Sequence, residues 1–205
     1  MERHIQITAD GSATIAIPAM QVTYHSKHGA IQESNHVFIQ AGLEWILQHG
    51  LKHIRIFEMG FGTGLNALLT AEYIQSMPIQ ITYYSAEAYP LNEIEANSLN
   101  YTNQALLQQL HEADWDKENT ITSNFKLHKL HTTLDKCSIN EPIDLIYYDA
   151  FAPSAQPDLW TEAVFAKLYD WAAPGGILVT YCSKGDVRRA MQAAGAAHGR
   201  PGHGG

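Results

Sequence analysis

The 205-residue chain carries 13 Lys and Arg against 21 Asp and Glu, a net charge of −8, and 45% of its residues are apolar. That length supports one α/β domain with a full core, and the acid excess excludes a generally basic nucleic-acid-binding surface, leaving room only for a local patch. No apolar run approaches membrane-spanning length and no signal-peptide core opens the chain. Two distant cysteines, Cys137 and Cys182, fit a reducing, cytoplasmic setting with neither a disulfide nor a Cys-x-x-Cys metal site.

In chain order, residues 4–17 alternate around Asp10-Gly11, which predicts a β-hairpin. Residues 20–33 read as an irregular lead-in, and Ser34 is placed to cap a helix running through Leu47 and stopped by His49-Gly50. The pattern then gives a strand over 52–57, a helix over 64–76, a strand over 79–86 and helices near 91–99 and 102–113. Strands over 125–130 and 143–148 follow, then a helix from the Thr161 cap to Trp171, a strand over 177–181 behind Gly175-Gly176, and a helix near 185–194. Alternating strands and helices predict one doubly wound α/β domain over 1–195, of which 1–50 is the lead-in, with right-handed crossovers. Residues 196–205, rich in glycine and small side chains, read as a disordered tail, so the carboxyl-terminal edge of the sheet looks truncated.

Two motifs carry chemistry. Phe57-Glu58-Met59-Gly60-Phe61-Gly62-Thr63-Gly64-Leu65-Asn66 is strand, glycine turn, helix, and alternate glycines let a ligand approach the main chain. No Gly-Lys-Ser/Thr follows, so it is not a P-loop; the dinucleotide pattern G-x-G-x-x-G/A fits poorly, which puts a nicotinamide enzyme second. Glu87 closes the next strand, where a carboxylate takes ribose hydroxyls in nucleotide-binding α/β folds. The other motif, Asp149-Ala150-Phe151-Ala152-Pro153 through Gln156-Pro157-Asp158-Leu159-Trp160, begins at the carboxyl end of a buried strand, where open α/β sheets bind ligands.

The pattern E-x-G-x-G-x-G resembles motif I of S-adenosylmethionine-dependent methyltransferases, and F-E-M-G-F-G-T-G-L-N with D-A-F-A-P-x-x-Q-P-x-L-W resembles the MnmC/MnmD-like tRNA methyltransferases. Thr23–Ser26, His28–Ala30, Glu33–Phe38, Gly175–Tyr181 and Val187–Arg189 extend the similarity over about residues 5 to 195. The resemblance implies a Rossmann-like class I S-adenosyl-L-methionine-dependent fold that methylates the aminomethyl group of the tRNA wobble uridine. Bifunctional members of that family also carry a flavin-dependent oxidase domain; the length and the absence of a second glycine fingerprint predict a stand-alone methyltransferase here.

In that reading Glu58, Gly60, Gly62, Gly64, Asn66, Glu87 and Asp149 bind the cofactor, with Tyr24 and Glu33 contributed by the lead-in. Asp149 also orients and deprotonates the substrate amine, and Phe151 lines the transfer pocket. The acid that holds adenine in this family has no clear counterpart in Leu130-His131-Thr132-Thr133. No metal is expected, because His25, His28 and His36 lack a zinc spacing. Candidate RNA contacts are Lys126, Lys129, Lys136, Lys184, Arg188, Arg189 and Arg200. Another amine substrate, a nicotinamide oxidoreductase and a non-catalytic domain are the competing readings.

Overall fold

The computed structural model describes residues 2–197. The expected hairpin forms as β1 (His4–Ile7) and β2 (Ala13–Ile17), and a short third strand, β3 (Val22–Thr23), completes a small antiparallel sheet. One helical segment follows: α1 (Ala30–Ser34), a π-helical stretch (Asn35–Glu44) and α2 (Trp45–Leu47). The main sheet contains β4 (His53–Met59), β5 (Gln80–Ala86), β6 (Glu118–Thr122), β7 (Phe125–Leu130), β8 (Ile143–Tyr148) and β9 (Ala172–Val179). Its order is β6-β7-β5-β4-β8-β9, parallel throughout except for β6. Between strands lie α3 (Leu65–Ile74), α4 (Glu93–Asn97), α5 (Gln104–Glu112) and α6 (Glu162–Trp171), and α7 (Gly185–Ala197) follows β9.

The central strands are nearly continuous apolar runs because both faces are covered. Ile54, Ile56, Leu145 and Tyr147 pack toward Phe38, Leu43, Leu65 and Leu68 on one side. Phe57, Ile146 and Tyr148 turn to the other, against Phe165, Leu168 and Val187. Period-two alternation thus builds two cores on one sheet, the doubly wound arrangement expected.

Several boundaries differ from the sequence reading, each for a physical reason. Ser34 does not cap a helix: it has φ −60° inside one, and its buried hydroxyl has no partner among the described residues. The helix starts at Ala30 because the hairpin turn caps it from about twenty residues away. The Ser12 hydroxyl accepts from the Ala30 N–H at 3.2 Å and the Asp10 carboxylate from the Gln32 N–H at 3.0 Å. β6 was not anticipated; Glu-Asn-Thr-Ile-Thr lies on the sheet edge, where only partial burial is demanded. β9 starts at Ala172, five residues before the expected 177, running through Pro174 and a Gly175 at φ +80°. Proline is tolerated there because β9 is an edge strand, paired among the described residues with β8 alone. Of the expected disordered tail, residues 196–197 belong to α7, and 198–205 lie outside the described residues. No helix among the described residues is long and apolar enough to cross a membrane.

Candidate active site

β4, β5 and β8 end side by side, so the glycine loop, Glu87 and Asp149 converge at the carboxyl edge of the sheet. They line a cavity of 460 Å³, within the range of small-molecule sites, closed on one side by Tyr24 and His25 from the lead-in.

The loop leaves β4 with Gly60 at φ +89°, Gly62 at +50° and Gly64 at +73°, a backbone closed to most L side chains. At Gly62 space is also short: a Cβ there would lie 2.9 Å from the Tyr24 ring. Glu87 fixes the loop, one carboxylate oxygen accepting from the Gly62 N–H at 3.0 Å and the other from the Tyr89 N–H at 2.8 Å. Each oxygen retains a lone pair for a ligand hydroxyl.

Below the loop, Asn66 bridges two carboxyls. Its Nδ2 donates to Glu58 Oε1 at 3.0 Å and to Asp149 Oδ2 at 2.9 Å, and the Ser85 hydroxyl donates to Glu58 Oε2 at 2.9 Å. Burial, then the Asp149 charge, pushes the Glu58 carboxyl well above the usual range, against the Ser85 and Asn66 bonds. Burial likewise raises Asp149, opposed by its Asn66 bond. Asn66 Oδ1 is buried with no hydrogen-bond partner among the described residues, an acceptor awaiting a donor.

The Asp149–Trp160 motif folds into a loop whose backbone its own side chains hold. The Gln156 side chain accepts from the Phe151 N–H at 3.1 Å, and Trp160 Nε1 donates to the Phe151 carbonyl at 2.8 Å. Tyr181 donates to the Ala150 carbonyl at 2.8 Å and Tyr148 to the Leu159 carbonyl. The loop presents Phe151 edge-on to Tyr24, ring centroids 5.1 Å apart at 86°. Burial pushes the Tyr24 hydroxyl up to about 12, so it stays protonated.

Eight expected site residues line this cavity: Tyr24, Glu58, Gly60, Gly62, Asn66, Glu87, Asp149 and Phe151. Two do not. Gly64 sits behind the loop at the start of α3, where a Cβ would meet Phe61 and His111 at 3.1 and 3.3 Å. Glu33 accepts from the Ser26 N–H at 2.8 Å and so anchors the lead-in loop; it reaches Asp149 only through its charge. The sequence reading missed Asp135, which lines the cavity two residues beyond the Leu130–Thr133 stretch; the Thr133 hydroxyl lowers its carboxyl pKa. It also missed His25 as a wall residue. Burial drops that imidazole to about 4, so it is neutral, 3.5 Å from the Thr63 hydroxyl and 3.4 Å from that of Thr14. Among the described residues no three His, Cys, Asp or Glu side chains are grouped to hold a metal ion.

The acidic side chains Glu58, Glu87, Asp135, Asp149 and Asp158 face Arg3, the only lysine or arginine of the lining among the described residues. Even with the buried Glu58 and Asp149 carboxyls held toward their neutral forms, Glu87, Asp135 and Asp158 leave the lining acidic, which favours a cationic ligand and disfavours the diphosphate of a dinucleotide.

An S-adenosyl-L-methionine-dependent methyltransferase family model matches residues 89–205, more than half of the chain. The chain belongs to that methyltransferase family. The nicotinamide reading gives way, in agreement with the acidic wall. The methyltransferase chain is 29% identical over 208 residues to the tRNA 5-methylaminomethyl-2-thiouridine biosynthesis bifunctional protein MnmC of Aromatoleum aromaticum, covering 93% of this chain and 32% of that one. It is 32% identical over 211 residues to the protein of the same name from Cupriavidus metallidurans, covering 92% and 30%. The chain therefore spans about a third of the length of these curated relatives. The crystal structure of MnmC2 from Aquifex aeolicus superposes with a TM-score of 0.82 at 27% identity, over 95% of this chain and 64% of that one.

The cavity of this methyltransferase fits its cofactor: an orphaned amide oxygen at Asn66, a loop at Gly62 with no room for a Cβ, and acidic side chains around a chamber of 460 Å³.

Proposed function

We propose that the chain methylates the aminomethyl arm of the tRNA wobble uridine, in the cytoplasm, giving 5-methylaminomethyl(-2-thio)uridine. The observation that carries this reading is Asp149, whose Oδ2 is tied to Asn66, standing between the glycine loop and the Tyr24–Phe151 pair. Similarity to MnmC proteins over most of the chain supports the substrate.

Gly60 and Gly62 would hold the cofactor against bare backbone, Glu87 and Asp135 would take its nucleoside, and Asn66 Oδ1 would take a donor from its amino-acid end. Bound S-adenosyl-L-methionine supplies an electrophilic methyl group on a sulfonium centre. An alkylammonium has no lone pair, so the substrate arm must lose a proton first. Asp149 receives it at Oδ1, the oxygen that Asn66 leaves free. An ordinary carboxylate is a poor base for an ammonium; burial, which raises Asp149, narrows the gap. Phe151 and Tyr24, edge-on to each other in the cavity lining, would exclude water and offer aromatic surface to a cationic centre.

RNA docking belongs to a local patch. Lys126 is engaged by Glu118 at 2.8 Å and Lys129 is wholly buried, so neither is available. Lys184, Arg188 and Arg189 are exposed just after β9, on the edge of the sheet that carries the cavity. Lys136 lies in the loop between β7 and β8, and Arg200 lies outside the described residues.

The test is methyl-labelled cofactor offered with tRNA bearing 5-aminomethyl-2-thiouridine, with the carboxymethylaminomethyl form, and with the free aminomethyl nucleoside. Label in the aminomethyl tRNA alone is expected. Equal labelling of the free nucleoside would make this a small-amine methyltransferase.

A further inference from the structure

Phe61, the residue between Gly60 and Gly62, is 4% exposed; it lines the cavity and packs into an aromatic cluster beside it. Its ring lies edge-on to His111 at 5.3 Å and to Trp115 at 6.2 Å. At the centre of that cluster is a lysine. Lys129, on β7, is 0% exposed, with its Nζ 4.5 Å from the Trp115 ring centroid and 5.2 Å from that of Phe61. The Nζ also donates to the His111 carbonyl at 2.7 Å, one of the last four carbonyls of α5, which the helix itself leaves unpaired. His111 in turn donates from Nε2 to the Thr63 carbonyl at 3.0 Å, the carbonyl fixing that tautomer. Among the described residues Lys129 makes no ion pair; Asp114, the acid that acts on it electrostatically, is bonded to Lys117.

We propose that Lys129 is a positioning residue for methyl transfer: its ammonium caps α5 and clamps Phe61 and Thr63, holding the glycine loop in its cofactor-binding shape. A cation buried with no carboxylate partner costs stability, and a protein keeps such a cost where it serves a site. Through one charge the clamp reaches two points of the loop, the Phe61 ring directly and the Thr63 carbonyl through His111. The inference rests on the cofactor lying against this loop.

The sign of the stability effect follows from burial, which lowers the Lys129 ammonium to about 8. A lysine lowered on folding contributes stability above its unfolded pKa and loses it as pH falls through about 8, so at pH 7 the cation is a net cost. The other titratable groups around it are His111 on α5, Asp114 and Asp116 in the α5–β6 connection, and His131 after β7. His111 is itself held below its usual range by burial and stays neutral above pH 7.

The experiment is Lys129→Met, which keeps the length and removes the charge, with calorimetric Kd for S-adenosyl-L-methionine and Tm measured at pH 7 and pH 9.5. Expected at pH 7 is about tenfold weaker binding with a Tm no lower than that of the parent protein. At pH 9.5, where the parent has itself lost the ammonium, the ratio of the two Kd values should shrink toward one. The amino group of the cofactor titrates identically in both arms and cancels. Binding within twofold of the parent at pH 7 would overturn the proposal. So would a lowered Tm or failure to fold, since the lysine would then be holding the core and not the loop. Glu87→Ala in the same titration separates the two readings: if it binds like the parent, the placement of the cofactor fails and not the clamp.

Discussion

Gly62→Ala is expected to weaken S-adenosyl-L-methionine binding by at least about thirtyfold, which corresponds to about 2 kcal/mol. Two effects combine at this position. A left-handed backbone costs an L-residue roughly 1–2 kcal/mol, and the new Cβ would stand 2.9 Å from the Tyr24 ring. That ring is packed edge-on against Phe151, so relief comes by displacing either the cavity wall or the loop. Moving the loop also breaks the 3.0 Å bond from the Gly62 N–H to Glu87. Gly11→Ala is the control. It too has positive φ, at +83°, but no atom of the described residues lies within 4 Å of the added carbon. It should lower stability by a similar 1–2 kcal/mol or so and leave binding unchanged. Calorimetry for Kd and thermal unfolding for stability distinguish the two variants.

Asp149→Asn is expected to reduce turnover by about 10³-fold with cofactor Kd changed by less than about fivefold. An amide keeps the shape and still accepts from Asn66, but it cannot take a proton from the substrate arm. The pH dependence carries the sign. Because burial raises the Asp149 carboxyl, its basic form grows as pH rises, and kcat of the parent should rise with pH up to that raised value. The asparagine variant should lose that limb. Stability moves the other way. A carboxyl raised on folding contributes stability below its unfolded pKa and loses it as pH rises through the folded one. The variant should therefore be relatively more stable at neutral pH than the parent. Glu58 should become easier to ionise, because the Asp149 charge contributes to its elevation.

What could be read from the sequence was what short-range chemistry determines. The glycine turn, Glu87 at the end of β5 and Asp149 at the end of β8 follow from apolar runs ending in polar residues, and parallel pairing of β4 with both neighbours unites them. The Asp149–Trp160 motif was visible because its loop is held by its own side chains, Gln156 and Trp160. What escaped depended on distant partners. The start of the first helix is capped by Asp10 and Ser12 of the hairpin turn, so the locally attractive Ser34 ended up inside. Asp135 joined the cavity because the loop after β7 returns to its lining, a placement no local pattern encodes. Glu33 and Gly64 fell just outside because each was used to fix the backbone around the site. Lys129 read as a surface cation, although the aromatic rings that receive it come from the glycine loop and the α5–β6 connection.

The central claim is that the cofactor occupies the cavity between the glycine loop, Glu87 and Asp149. The most direct measurement is calorimetric titration of S-adenosyl-L-methionine into the parent chain and into Glu87→Ala. One saturable site is expected in the parent and at least about fiftyfold weaker binding in the variant, since the bonds Glu87 would make to the ribose and its tether on Gly62 are lost together. A folded Glu87→Ala protein that binds as tightly as the parent would contradict that claim.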